Sequence, residues 1–237
     1  MNIPILYEDN HLIVVNKPAG WVVQGASSHH ASLLDWVATY LKHKYQKPGN
    51  VFVGVVSRLD QPVSGVVPFA RTSKGASRLN EQIRDRSVQK KYWALVEGTP
   101  SAVSLRLSHW LRRREEDTKT IAYDTRQPET QEAVLTYRVE SHWDGGSWME
   151  IDLETGRKHQ IRAQLAHIGH PIVGDRLYGS KRSFPDGIAL HCSRFACQHP
   201  TLQTPLLWQA FPPNSWKSFL HSHAGNDAWD QLQNRFA

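Results

Sequence analysis

Between two valine-rich runs, residues 54–65 read GVVSRLDQPVSG and place Arg58 and Asp60 where a packed sheet is expected to turn. A carboxylate can act as a nucleophile or a base when it is ionised and a substrate can reach it. The same stretch suits a plain turn, because Asp bonds its own backbone and Pro62 fixes a bend. A second chemistry is raised by HCSRFACQH, residues 191–199, where His191, Cys192, Cys197 and His199 are all metal-capable. Zinc sites usually pair ligands two to four residues apart and take the second pair from another segment, so this spacing favours packing. His159, His167 and His170 lack the His-Glu-x-x-His spacing and read as capping or hydrogen-bonded scaffold residues. No metal is assigned.

Basic residues recur at 71–91, 111–114, 156–162 and 174–182. If they share a face, they form an electrostatic footprint for nucleic-acid phosphates. The total balance points the same way only weakly, with 28 Lys and Arg against 22 Asp and Glu and a net charge of +6.

These groups need elements to position them. LIVVNK (12–17) reads as a strand closed by a Pro-Ala-Gly turn, and Leu34, Val37 and Leu41 mark a short helix over 32–44. Strands are expected on both sides of Asp60. Thr72 and Ser73 offer an N-cap to a helix with Ala76, Leu79 and Ile83 inward and Lys74, Arg78, Arg84 and Arg86 outward. Further strands are expected at 91–98, 132–139 and 147–154, with a loop and short hairpin over 112–132. A helix follows over 157–168 with Ile161, Leu165 and Ile168 on one face, and GIALHC and PLLWQAF read as late strands. This order predicts an α+β fold, one domain over 1–237 with a mixed, largely antiparallel sheet flanked by helices and loops.

At 237 residues and 40% hydrophobic content the chain can bury a real core. No apolar run approaches the ~20 residues of a membrane span. No secretory signal is read at the N-terminus, and two cysteines fit a reducing compartment, so a cytoplasmic protein with no membrane association is expected. Neither a heptad nor a long apolar face is read from the pattern, so a monomer without an obligatory protein partner is expected.

Three segments, SRLDQPVSG, KKYWALVEG and ETGRKHQIRAQLAHIGHPIVGDRLYG, resemble in this order the RluA-type pseudouridine synthases. The opening YEDNHLIVVNKPAGWVV is similar to the first segment of that family, so the resemblance covers about residues 5–215 and leaves a tail from about 216 to 237. It implies that Asp60 is the catalytic carboxylate, Tyr92 the aromatic residue beside the target base and general base at C5, and Arg162 the basic partner of Asp60. It also implies a substrate of structured RNA, tRNA or rRNA, and no cofactor.

The uridine must leave its stack to reach a protein carboxylate, and Arg58 matches the family's Arg that wedges into the RNA as the base flips. Lys74 and Arg78 of the basic helix, with Arg157 and His159 of the Gly-Arg-x-His segment, are read as RNA contacts. Two positions depart from the family pattern: Ser57 stands where His is usual and Val63 where Thr is usual. They bear on the substrate rather than the reaction. The motifs begin within ten residues of Met1, so the small N-terminal RNA-binding module often found in the family is not expected. Two rivals stand beside this reading: a catalytically silent RNA-binding protein of the same fold, and an N-glycosidase that releases uracil.

Overall fold

The computed structural model describes residues 3–25, 31–113, 116, 118–224, 229–230 and 233. In chain order the elements are β1 (Ile5–Glu8), β2 (Leu12–Lys17), α1 (Leu33–Lys44), β3 (Gly54–Val55), β4 (Ser64–Ala70), α2 (Ser73–Arg84) and β5 (Gln89–Glu97). They continue with β6 (Ser104–Arg112), β7 (Ile121–Tyr123), β8 (Gln131–Trp143), β9 (Gly146–Leu153), α3 (Gln160–His167), β10 (Leu190–Gln198), β11 (Pro205–Gln209) and α4 (Asn214–His223). This is an α+β fold, and the strand pairings whose register is defined are antiparallel. Arg114 of the basic run 111–114 and part of the C-terminal tail lie outside the described residues.

The chain gathers into two compact units, Met1–Gln89 with Ser193–Ala210, and Lys90–Cys192 with Phe211–Ala237. In the first unit, β2 pairs with β1 on one edge and β4 on the other. Leu12, Ile13, Val14 and Val15 are fully buried, as a strand covered on both faces requires. The β2–β4 ladder ends with Lys17 opposite Gly65, whose φ of +124° favours glycine. Ser32 starts α1 with a capping box: its hydroxyl accepts from the Asp35 N–H, and the Asp35 carboxylate accepts from the Ser32 N–H. Thr72 caps α2 by accepting from the Gly75 N–H, so the expected start of that helix holds.

Two expectations for this unit are corrected. The strand before Asp60 is limited to Gly54–Val55, with exposed Phe52 breaking the buried alternation upstream. Helix α2 ends at Arg84, and Arg86 lies beyond it with a left-handed φ of 58°, which takes it off the helical face.

In the second unit the strand order is β5–β9–β8–β6–β7. Trp93 and Trp148 meet edge to face at 5.3 Å among Leu95, Met149 and Ile151, which makes a dense apolar centre. Strand β7 pairs with the end of β6 and supplies the short hairpin expected over 112–132. Helix α3 begins at Gln160, three residues later than expected, because His159 takes a left-handed φ of 55°. It is not amphipathic: every residue from Gln160 to Leu165 is buried, so no single apolar stripe describes it.

Candidate active site

Asp60 sits on a tight turn in the first unit. The Val63 N–H donates to the Asp60 carbonyl at 3.1 Å, and Gln61-Pro62 form the corner. The turn is also tied to the Pro18–Trp21 loop, since the Gly20 N–H donates to the Gln61 carbonyl at 2.8 Å and the Gln61 amide donates to the Gly20 carbonyl at 3.1 Å. Lys17 closes this arrangement. Its ammonium donates to the carbonyls of Trp21 at 2.7 Å, Pro18 at 3.0 Å and Gln61 at 3.1 Å, which engages three donors at the end of a fully buried side chain. Burial pulls the Lys17 pKa down to about 7, against the opposing pull of the Asp60 charge. Asp60 is half-buried and Arg58 is exposed.

Tyr92 and Arg162 belong to the second unit. Tyr92 is buried at the middle of β5, opposite Ile151 of β9. Arg162 is buried on α3 and grips Asp175 with a two-pronged pair, Nε to Oδ2 at 2.6 Å and Nη2 to Oδ1 at 2.9 Å. Its guanidinium also lies over the Tyr178 ring at 5.0 Å. Tyr178 is itself fixed: its hydroxyl accepts from the Thr120 N–H at 2.7 Å and pairs with His159 Nδ1 at 3.0 Å. Burial raises the Tyr178 pKa. Gly174, with φ +88°, begins the segment that presents Asp175, and a Cβ there would lie 2.7 Å from that of Phe184.

The start of α3 is locked from below. The Gln160 side chain accepts from the Thr155 hydroxyl at 2.8 Å and the Arg157 N–H at 3.0 Å, and donates to the Val134 carbonyl at 3.1 Å. This fixes the helix that carries Arg162.

The expected RNA contacts separate by exposure. Lys74, Arg58 and Arg157 are exposed, although the Arg157 Nε also donates to the Glu132 carbonyl at 3.2 Å. Arg78 is half-buried, donates to the Pro200 carbonyl at 2.6 Å and lines a cleft of about 500 Å³ with Gln82, Gln198 and Gln203. His159 joins the Tyr178 cluster. His199 accepts from the N–H groups of Thr201 and Leu202 and pairs with Asp9 at 2.8 Å, and His170 pairs with the Glu97 carbonyl at 3.0 Å, so both have scaffold roles. Cys192 and Cys197 are both buried.

Sequence reasoning missed Lys17, Asp175 and Tyr178. LIVVNK ends in a lysine that a strand pattern would send to solvent, and GDRLYG was read for its basic charge rather than its acid.

The solved structure of human RNA pseudouridylate synthase domain containing 4 matches with a TM-score of 0.78 over 92% of each chain at 24% identity, which shows a shared fold. A family model described as RNA pseudouridylate synthase matches residues 11–167. An uncharacterised RNA pseudouridine synthase of Synechocystis sp. is 35% identical over 84% of this chain and 63% of its own length. The tRNA pseudouridine synthase C of Salmonella typhi is 34% identical over 91% of this chain and 88% of its own. Ribosomal large subunit pseudouridine synthase D of Yersinia pestis is 30% identical over 92% and 70%. The chain belongs to the RNA pseudouridylate synthase family, as its resemblance to the RluA type implied. It spans less than two thirds of the length of the Synechocystis relative.

Proposed function

We propose that this chain isomerises uridine to pseudouridine in structured RNA, tRNA or rRNA, with residues 1–237 acting as one catalytic domain. The observation that carries the reading is the family match over 11–167, which contains Asp60, Tyr92 and Arg162. The N1–C1′ bond breaks, uracil turns in the pocket, the C5–C1′ bond forms and C5 loses its proton to restore the ring. Electrons and atoms balance without an external oxidant or reductant.

Asp60 is the carboxylate that enters the sugar chemistry, and its turn, tied by Lys17 and Gly20, gives it a fixed place. Arg162 is the basic partner of Asp60, and the fork to Asp175 sets the plane of its guanidinium. Tyr92 packs beside the base and takes the C5 proton. Arg58, exposed two residues before Asp60, fills the gap left by the flipped nucleotide, which costs a few kcal/mol to extrude. Lys74, Arg78, Arg157 and His159 hold the RNA around it. The tRNA and ribosomal substrates in the names of two relatives support this substrate class.

No helix among the described residues is long and apolar enough to cross a membrane. The enzyme is read as cytoplasmic and monomeric, and light scattering checks the monomer. RNA tritiated at uracil C5 tests the reaction: tritium released to water with the base retained is the expected result. Free uracil would establish the glycosidase instead, and neither product would establish a binding protein.

A further inference from the structure

Outside the residues assigned to catalysis, the second unit brings two imidazoles and a carboxylate from three elements to one point. His109 projects from β6, His167 closes α3, and Asp124 follows the last residue of β7. Trp110 pairs with Tyr123, so the next rung of the ladder carries Asp124 toward His109. His167 Nε2 lies 2.8 Å from Asp124 Oδ1, His109 Nε2 lies 3.7 Å from the same oxygen, and the three candidate ligand atoms fall within 4.8 Å of one another. Zinc bonds of 2.0–2.1 Å in tetrahedral geometry separate neighbouring ligand atoms by about 3.4 Å. The observed spacings bracket that value. The rings cross at 76° with centroids 4.9 Å apart, so they are edge to face rather than stacked.

The scaffold beneath is dry and shared. Leu111, Ala133 and Ala163 form a buried cluster with Ala122 packed against it. Leu111 and Ala122 lie two positions along the strands from His109 and Asp124, and Ala163 one turn along the helix from His167, so each lies on the same face as its ligand. His109 is buried, while the Asp124 side chain is 80% exposed, which leaves one side open to water.

Gln164 packs against the His109 ring. It is fully buried, its amide nitrogen donates to the Ala133 carbonyl at 3.0 Å and lies 3.1 Å from His109 Nδ1, and its Oε1 has no hydrogen-bond partner. A metal on His109 Nε2 moves the ring proton to Nδ1, and the Gln164 amide nitrogen then has to give up its contact with that ring while keeping its bond to the Ala133 carbonyl.

We propose that His109, Asp124 and His167 bind Zn²⁺, with water in the fourth position. The ion replaces the His167–Asp124 hydrogen bond and ties β6, the segment after β7 and α3 together. Its effect on the reaction is positional, through the helix that bears Arg162.

The test is calorimetric titration of ZnCl2 into the EDTA-dialysed full chain, with thermal melts and Co²⁺ absorption on the same samples. One ion per chain is expected, with a raised Tm and a tetrahedral Co²⁺ spectrum lacking a thiolate charge-transfer band. His167→Ala and Asp124→Asn, both at exposed positions, should each weaken binding at least about tenfold and remove most of the Tm gain while folding without metal. Absence of Zn²⁺ binding would overturn the proposal. So would unchanged affinity in both variants, or a thiolate band placing the ion at Cys192 or Cys197.

Discussion

Lys17 holds the Asp60 turn through the backbone: one buried ammonium donates to three carbonyls, and the segments it joins are loops. Arg162 is held through side chains, with a bidentate carboxylate at 2.6 and 2.9 Å and an aromatic ring beneath it. The first arrangement fixes where a chain segment lies and leaves the acid half-buried. The second fixes the plane of one charged group and buries both members of the pair. On the proposed reading Asp60 is the reactive acid and must meet substrate, whereas Arg162 sets charge and orientation and can be enclosed. The two regions therefore divide access from rigidity.

The largest expected effect separates chemistry from turn formation at position 60. Asn is as good a turn residue as Asp, so Asp60→Asn should leave the melting temperature almost unchanged. Tritium release should fall by about 10³-fold or more, while RNA affinity stays within about threefold because phosphate contacts dominate it. Retained turnover would reduce Asp60 to a corner residue and remove the contrast with Arg162.

Next is the pair that gives the second region its rigidity. Removing one partner of a buried ion pair typically costs about 3–5 kcal/mol, so Asp175→Ala should lower unfolding stability by about 3 kcal/mol in urea titration. An exposed-type loss below about 1 kcal/mol would mean that the fork contributes little and the two regions are equally soft.

The sequence made these regions legible to different degrees. The acid of SRLD and the arginine of HQIR stand in long motifs, and most strands follow from valine-rich or alternating runs such as LIVVNK and SWMEIDLE. Strand β6 does not, because SLRLSHWLR turns a histidine inward and hides the alternation. His109 therefore carries no signal of its burial in the sequence pattern. Lys17 and Asp175 were hidden for a related reason: a buried charge looks like a solvated one until its acceptors or counter-charge are located, and those come from residues 21, 61 and 162. The start of α3 was misplaced by one left-handed histidine, a conformation that side-chain pattern does not report.

A smaller effect distinguishes the two cations by titration. Lys17 has a folded pKa of about 7, below its ordinary 10.5. Below about pH 7 it is charged in both states, and the burial penalty acts in full. Between the two values the unfolded chain holds a proton that the folded chain has released, so this group makes stability rise with pH. Arg162 does not titrate in that window and adds no slope. The stability difference between wild type and Lys17→Met, measured in urea at about pH 6 and about pH 9, should shift in favour of wild type at the higher pH. A flat difference would show that the ammonium is not the strained member of the comparison.

The smallest effect applies the same contrast within helix α2, where Lys74 is exposed and Arg78 is anchored to the Pro200 carbonyl. A free cation that meets a phosphate releases a counterion on binding, whereas an anchored one has part of its charge engaged in the fold. Lys74→Ala should therefore reduce the slope of log affinity against log salt by about 0.7–0.9 in fluorescence anisotropy with labelled RNA, without moving the Tm. Arg78→Ala should do the reverse: about 1 kcal/mol of stability lost with its hydrogen bond, and a smaller change in slope. If Arg78 shifts the slope as much as Lys74 does, the Pro200 bond yields when RNA arrives. Anchorage by a single carbonyl would then be too weak to divide scaffold from contact, in contrast to the three carbonyls that hold Lys17.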